Sequence, residues 1–131
     1  MYFYCFAELF PASFREHFDR LRHDTRYRTE FEASVKTLGF LWYEAPKWKL
    51  TVKLLRLIRP FCEICGDRHR LESHHKTYEH FGVEVLYLDD LQTLCQDCHA
   101  AIHGKRNQHQ QMKMYFPPQR ELCNQNYRTH T

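Results

Sequence analysis

No stretch of this chain approaches the ~18 consecutive apolar residues of a membrane-spanning helix, although 43% of its 131 residues are hydrophobic. The apolar residues are therefore left for a core, and no membrane partner is expected. The N-terminus, Met1-Tyr2-Phe3-Tyr4-Cys5-Phe6-Ala7-Glu8, has no basic start and only a short apolar run, so a signal peptide is not expected either. There is no internal repeat beyond a doubled Cys-x2-Cys, and no low-complexity run apart from Gln108-His109-Gln110-Gln111. Excess charge of one sign is also small. Nineteen Lys and Arg against 16 Asp and Glu give a net charge of +3, which is compatible with nucleic acid without requiring it.

Against these absences stand six cysteines and ten histidines. Without a signal peptide, a reducing cytoplasm is the expected compartment, and there paired cysteines point to metal rather than disulfides. Cys62 and Cys65 form one pair, Cys95 and Cys98 the other. Cys5 and Cys123 are isolated and read as ordinary thiols. The length fits one domain of ordinary size. The segment around the paired cysteines is polar enough that a structural metal would help it fold.

Residues 1–60 read as mostly helical. Ser13-Phe14-Arg15-Glu16 resembles a capping box, and Phe14, Phe18 and Leu21 share one helix face. A second helix is expected from about Thr29 to Leu38, with Phe31, Val35 and Leu38 inward and Gly39 as its stop. The stretch from Gly39 to Tyr43 fits a connector or a short strand. Pro46 suits a helix start, and Trp48, Val52, Leu55 and Ile58 then form a stripe. Lys47, Lys49, Lys53, Arg56 and Arg59 make that helix basic. They are either a solvated face opposite the core or a phosphate-contacting face. Residues 105–131 read as an irregular polar tail, with Met112, Met114, Tyr115 and Phe116 able to dock on the body.

Each Cys-x2-Cys can form a tight knuckle presenting two sulfurs to one tetrahedral ion, and Gly66 is a suitable turn residue beside the first. Four thiolates leave no open position, so this site is expected to be structural. His99 and His103 are four apart and face the same way on a helix. His74 and His75 follow the alternating Leu71-Glu72-Ser73, which suits a strand, where neighbours point to opposite faces. One of them can join His99 and His103 on a metal while the other faces away, toward a substrate. Any one of these histidines alone would pass for a surface residue; four in this layout would not.

At this point the sequence resembles the HNH endonuclease family, the ββα-metal nucleases, over about Trp42 to Gly104. The matching blocks are Cys62-Glu63-Ile64-Cys65-Gly66, His74-His75, Leu91-Gln92-Thr93-Leu94-Cys95 and Cys98-His99-Ala100-Ala101-Ile102-His103. The run from His75 to Glu84 is similar to a phage and bacterial subgroup that carries a Tyr and a Gly-x-Glu there; Tyr43 and Trp48 fit its leading helix. The resemblance implies an α+β fold, a small zinc-stabilised ββα-metal (His-Me finger) core over residues 42–106. A mostly helical extension would precede it over 1–41, and a polar tail would follow over 107–131.

The same resemblance implies roles. His75 falls on the general base. His74, His99 and His103 fall on the ligands of a catalytic divalent ion, which could be Mg2+, Mn2+, Ni2+ or Zn2+. Cys62, Cys65, Cys95 and Cys98 would hold structural Zn2+. The family's middle Asn falls on Asp90, a departure, since an ionised Asp accepts hydrogen bonds but cannot donate them. Its expected role is to orient His75 or a backbone amide. The expected function is metal-dependent hydrolysis of double-stranded DNA with weak sequence specificity, by one chain, by a homodimer or with a phage or bacterial protein partner. Two other classes compete: a zinc-stabilised nucleic-acid-binding module without catalysis, and an accessory subunit of packaging or restriction.

Overall fold

The computed structural model describes residues 2–103. The expectations placed on Met112, Met114, Tyr115, Phe116 and Cys123 lie outside the described residues. Within them, helices α1 (Tyr2–Phe6), α2 (Ala12–His23), α3 (Thr25–Leu38) and α4 (Pro46–Ile58) precede strand β1 (Leu71–His75), strand β2 (Leu91–Cys95) and helix α5 (Gln96–His103). This is the α+β arrangement expected, with a ββα order at its end. Among the described residues no helix is long and apolar enough to cross a membrane. The described residues divide into two compact units, one of residues 2–58 and 75–91, the other of residues 59–74 and 92–103.

The first unit is built on aromatic rings. Phe14, Phe18 and Leu21 are buried on one face of α2, as their spacing predicts, and His17 joins them. Phe3 stacks on Phe18 with centroids 4.2 Å apart. The capping box does not form. Ser13 already lies inside α2, whose first residue follows Pro11, and proline's fixed φ suits the entry to a helix. The true cap is at the next helix. Asp24 accepts from the Tyr27 amide at 3.0 Å, so α3 begins at Thr25, four residues before the expected start. Gly39 ends it with φ +57°, as expected. Val35 is fully buried but Leu38 is exposed. Gly39–Glu44 is a 3-10 helix rather than a strand. On α4 the buried set is Trp48, Thr51, Leu54 and Leu55, while Val52 and Ile58 are half-buried.

The basic residues of α4 are not equivalent. Lys53 donates to the Leu9 carbonyl at 3.2 Å and lies 5.2 Å from the Phe10 ring. Lys49 sits 3.9 Å from Glu44, both well exposed. Arg59 falls after the last turn of the helix and is buried in the second unit, and Lys47 and Arg56 are half-buried.

The second unit carries the paired cysteines. β1 and β2 form a two-stranded sheet. The Gln96 amide donates to Arg70 and the Lys76 amide to Asp90, an antiparallel pattern. The core of this unit consists of Cys62, Leu94, Cys95 and Cys98, with Ile64, Leu71 and Ile102 packed on it. Three of its four buried members are cysteines, so the metal site and the core are the same place.

Candidate metal centres and catalytic dyad

The four paired cysteines present their sulfurs within 4.8 Å of one another. Cys65 Sγ and Cys95 Sγ are 3.7 Å apart, close to the edge of a tetrahedron with bonds of about 2.3 Å. Each pair folds into the same knuckle. The Cys65 amide points at Cys62 Sγ (3.5 Å) and the Cys98 amide at Cys95 Sγ (3.4 Å). Gly66 closes the first turn at φ +82°, its amide donating to the Cys62 carbonyl. The Glu63 amide pairs with the Thr93 carbonyl, and the Glu63 carboxylate accepts from the Thr93 amide at 2.6 Å. That return pairing fixes the knuckle against β2.

The electrostatics call for a cation. Burial pushes the Cys65 thiol up to about 11, against an opposing backbone bond at Asp67, with the neighbouring sulfurs adding to the rise. Burial raises Cys98 further. At Cys62 burial also acts upward, but hydrogen bonds from the backbone of Cys65, Cys95 and Ile64 carry the thiol below its ordinary value. One thiol is thus eased toward ionising while two of its neighbours are held back from it. A bound dication removes that conflict, so the donor set fits a closed tetrahedral metal site.

The second cluster comes from His74 at the end of β1 and from His99 and His103 on one face of α5. Their ligand atoms also lie within 4.8 Å of one another. His74 Nδ1 and His103 Nε2 are 3.0 Å apart, a spacing that two nitrogens on one ion of about 2.1 Å bond length adopt. Glu72, two residues before His74 and so on the same strand face, meets His99 Nδ1 at 2.6 Å. A carboxylate there fixes the His99 tautomer and directs Nε2 outward. The sequence reading missed Glu72; the alternation that placed His74 also placed it.

The remaining predicted residues belong to the first unit. His75 is 7% exposed. Its Nε2 lies 2.8 Å from Glu84 Oε2. Its ring is stacked on Tyr78 (4.7 Å, 18°) and on Trp48 (5.3 Å, 13°). The sequence placed His75 opposite His74; in the structure aromatic rings stack on it. Nor is Asp90 the partner of its imidazole. The Asp90 carboxylate meets His80 Nδ1 at 2.6 Å, and its backbone carbonyl accepts from the Lys76 amide at 2.8 Å. His80 in turn lies flat on Tyr87, 3.6 Å away, and the Tyr87 hydroxyl accepts from Arg28 at 3.0 Å. Asp90 therefore closes the loop that follows His75, through a backbone amide and through His80.

Residues 62–105 match a family model described as HNH endonuclease. This segment is similar to the HNH endonuclease domain, the family suspected from the sequence. The comparisons with curated proteins and with solved structures gave no match. The HNH segment contains both metal clusters, the dyad of His75 with Glu84, and Asp90. Its presence supports nuclease-type function in general, and the family acts on DNA.

Proposed function

We propose that this protein is a metal-dependent endonuclease that hydrolyses DNA phosphodiester bonds through residues 42–106, with residues 1–41 as a helical extension. The observation that carries the proposal is the convergence of His74, His99 and His103 within 4.8 Å. Three imidazoles leave coordination positions open, as a catalytic site requires and four thiolates do not. A divalent ion held there would supply a Lewis acid for a non-bridging phosphate oxygen and for the charge on the leaving 3′ oxygen. Imidazole ligands favour Mn2+, Ni2+ or Zn2+ on affinity, and cellular abundance favours Mg2+. The thiolate set would hold Zn2+ and keep β2 and α5 in place.

His75, next in the chain to His74, is the general base. Its neutral ring takes the proton of the attacking water near pH 7. Asp90 acts on the loop after His75 rather than on substrate. Exposed Lys49, with half-buried Lys47 and Arg56 of α4, contacts backbone phosphates, so binding to duplex DNA is salt-sensitive and weakly specific. One chain offers one such set of residues, so a nick in one strand is its minimal product.

The burial of His75 favours a second reading, a zinc-stabilised nucleic-acid-binding module without catalysis. Incubation of the zinc-loaded protein with supercoiled plasmid in Mg2+, Mn2+, Ni2+ or EDTA separates the two. Nicking in at least one ion and none in EDTA is the expected result. Intact plasmid in every ion, with salt-sensitive binding retained, would favour the module.

A further inference from the structure

The carboxylate of Glu84 is 1% exposed, a costly position for a charge. Two donors meet it. The Gly82 amide donates to Oε1 at 2.9 Å, and His75 Nε2 stands 2.8 Å from Oε2. The turn that aims the Gly82 amide requires glycine. Its φ is +97°, and a Cβ there would stand 2.9 Å from both Cβ and Cγ1 of the buried Val35. Glu84 is thus placed by a backbone conformation that few other residues tolerate.

An ionised carboxylate only accepts. The imidazole nitrogen facing Glu84 must therefore carry a proton, which leaves the lone pair of neutral His75 on Nδ1. The ring is constrained in its remaining degrees of freedom. Trp48 and Tyr78 stack on it and fix its plane, and the bond to Glu84 sets its rotation within that plane. Tyr78 is itself 57% exposed, so one of the two stacking rings is a surface side chain.

We infer that Glu84 is the positioning residue for His75: it holds the tautomer protonated on Nε2, presents Nδ1 as the base, and stabilises the imidazolium once Nδ1 has taken a proton. This rests on the reading of His75 as the base. Water loses one proton to Nδ1, and its oxygen bonds to phosphorus as the bond from phosphorus to the 3′ oxygen breaks. The departing 3′ oxygen takes a proton from solvent, and Nδ1 returns its own to solvent. Glu84 neither gains nor loses a proton. A buried carboxylate oriented on the far nitrogen of a basic imidazole serves acyl-transfer triads in the same way.

The sharpest variant is Glu84→Gln, which keeps the shape. A glutamine must still accept from the Gly82 amide with its one oxygen, so its NH2 group turns to His75 and donates to Nε2. The His75 proton then moves to Nδ1 and the base is blocked. The test uses the full-length zinc-loaded protein with 15N-labelled histidine, in the neutral range of the imidazole. In the wild type, His75 should show the Nε2-protonated pattern; in Glu84→Gln it should show the Nδ1-protonated one. Plasmid nicking should fall by about a hundredfold or more, the share that general base catalysis commonly supplies, with zinc content and DNA affinity unchanged. Glu84→Asp keeps the charge and should recover part of the rate. An Nδ1-protonated His75 in the wild type, or a nicking rate in Glu84→Gln within about threefold of wild type, would overturn the assignment. If the wild type fails to nick but the tautomer shifts as stated, the positioning contact stands and the nuclease reading falls.

Discussion

Replacing Cys95 with serine should unfold the second compact unit and spare the first. The apolar part of that unit's core is small. Among the described residues, Leu94 is the one large aliphatic side chain fully buried in that core, with Ile64, Leu71 and Ile102 half-covered. Full burial of such a side chain is worth about 1.5–3 kcal/mol, so the four together supply roughly 5 kcal/mol. Structural zinc in small domains contributes about 10–16 kcal/mol, more than the whole net stability of many domains, about 5–15 kcal/mol. The metal term therefore decides whether this unit folds. By contrast, α1–α4 rest on an aromatic and aliphatic cluster running from Phe3 to Leu91 that contains no cysteine. Cys95→Ser should consequently lose zinc and the helicity of α5, which is 8 residues, while most of the far-ultraviolet helix signal survives. Hydrogen exchange read by mass spectrometry localises the effect: peptides spanning 62–74 and 92–103 should lose protection, and those spanning 12–23 and 46–58 should keep it. Unchanged protection across 92–103 in a zinc-free variant would refute the argument.

Two further perturbations probe the first unit. Gly82→Ala should cost about 2–4 kcal/mol in urea denaturation, from a left-handed backbone and an overpacked contact with Val35, and it should slow cleavage because the Gly82 amide supports Glu84; a loss under about 0.5 kcal/mol would contradict the packing argument. His17 is held down to about 4 from 6.5 by burial and then by Lys47, so the unfolded chain takes up its proton first as pH falls. The associated stability is complete above about pH 6.5 and lost progressively toward pH 4, amounting to at most about 2 kcal/mol at pH 5 and less where solvent reaches the ring. His17→Gln should flatten the denaturation midpoint between pH 7.5 and 5 relative to wild type; identical pH profiles would show that His17 does not titrate this way.

Local spacing made much of the candidate site legible. The i, i+4 step of His99 and His103 is fixed by helix geometry, and the paired Cys-x2-Cys spacing by the knuckle, so both are set locally. The alternation in β1 separated His74 from His75 for the same reason. What spacing could not give was the surroundings of His75. Its contacts come from Trp48 on α4 and from Tyr78, Phe81 and Glu84 in the loop between the strands, and the course of that loop depends on Gly82 passing Val35. The Gly-x-Glu of this loop was visible in the sequence, but nothing in its spacing tied Glu84 to an imidazole nine positions earlier. Asp90 was assigned by analogy to an asparagine, and its carboxylate was taken up instead by His80, a residue the pattern gave no reason to single out. In the helical extension the short-range signals competed: Ser13-x-x-Glu16 looked like a helix start, yet Pro11 and Asp24 delimit α2.

The most direct test of the central claim compares wild type with His75→Ala in single-turnover cleavage of supercoiled plasmid. Both proteins are zinc-loaded and matched for DNA binding, in the divalent ion that best supports activity. The account predicts metal-dependent nicking by the wild type and a loss of at least about a hundredfold in the variant, with zinc content and the fold of the cysteine unit retained. Cleavage by His75→Ala near the wild-type rate would contradict it.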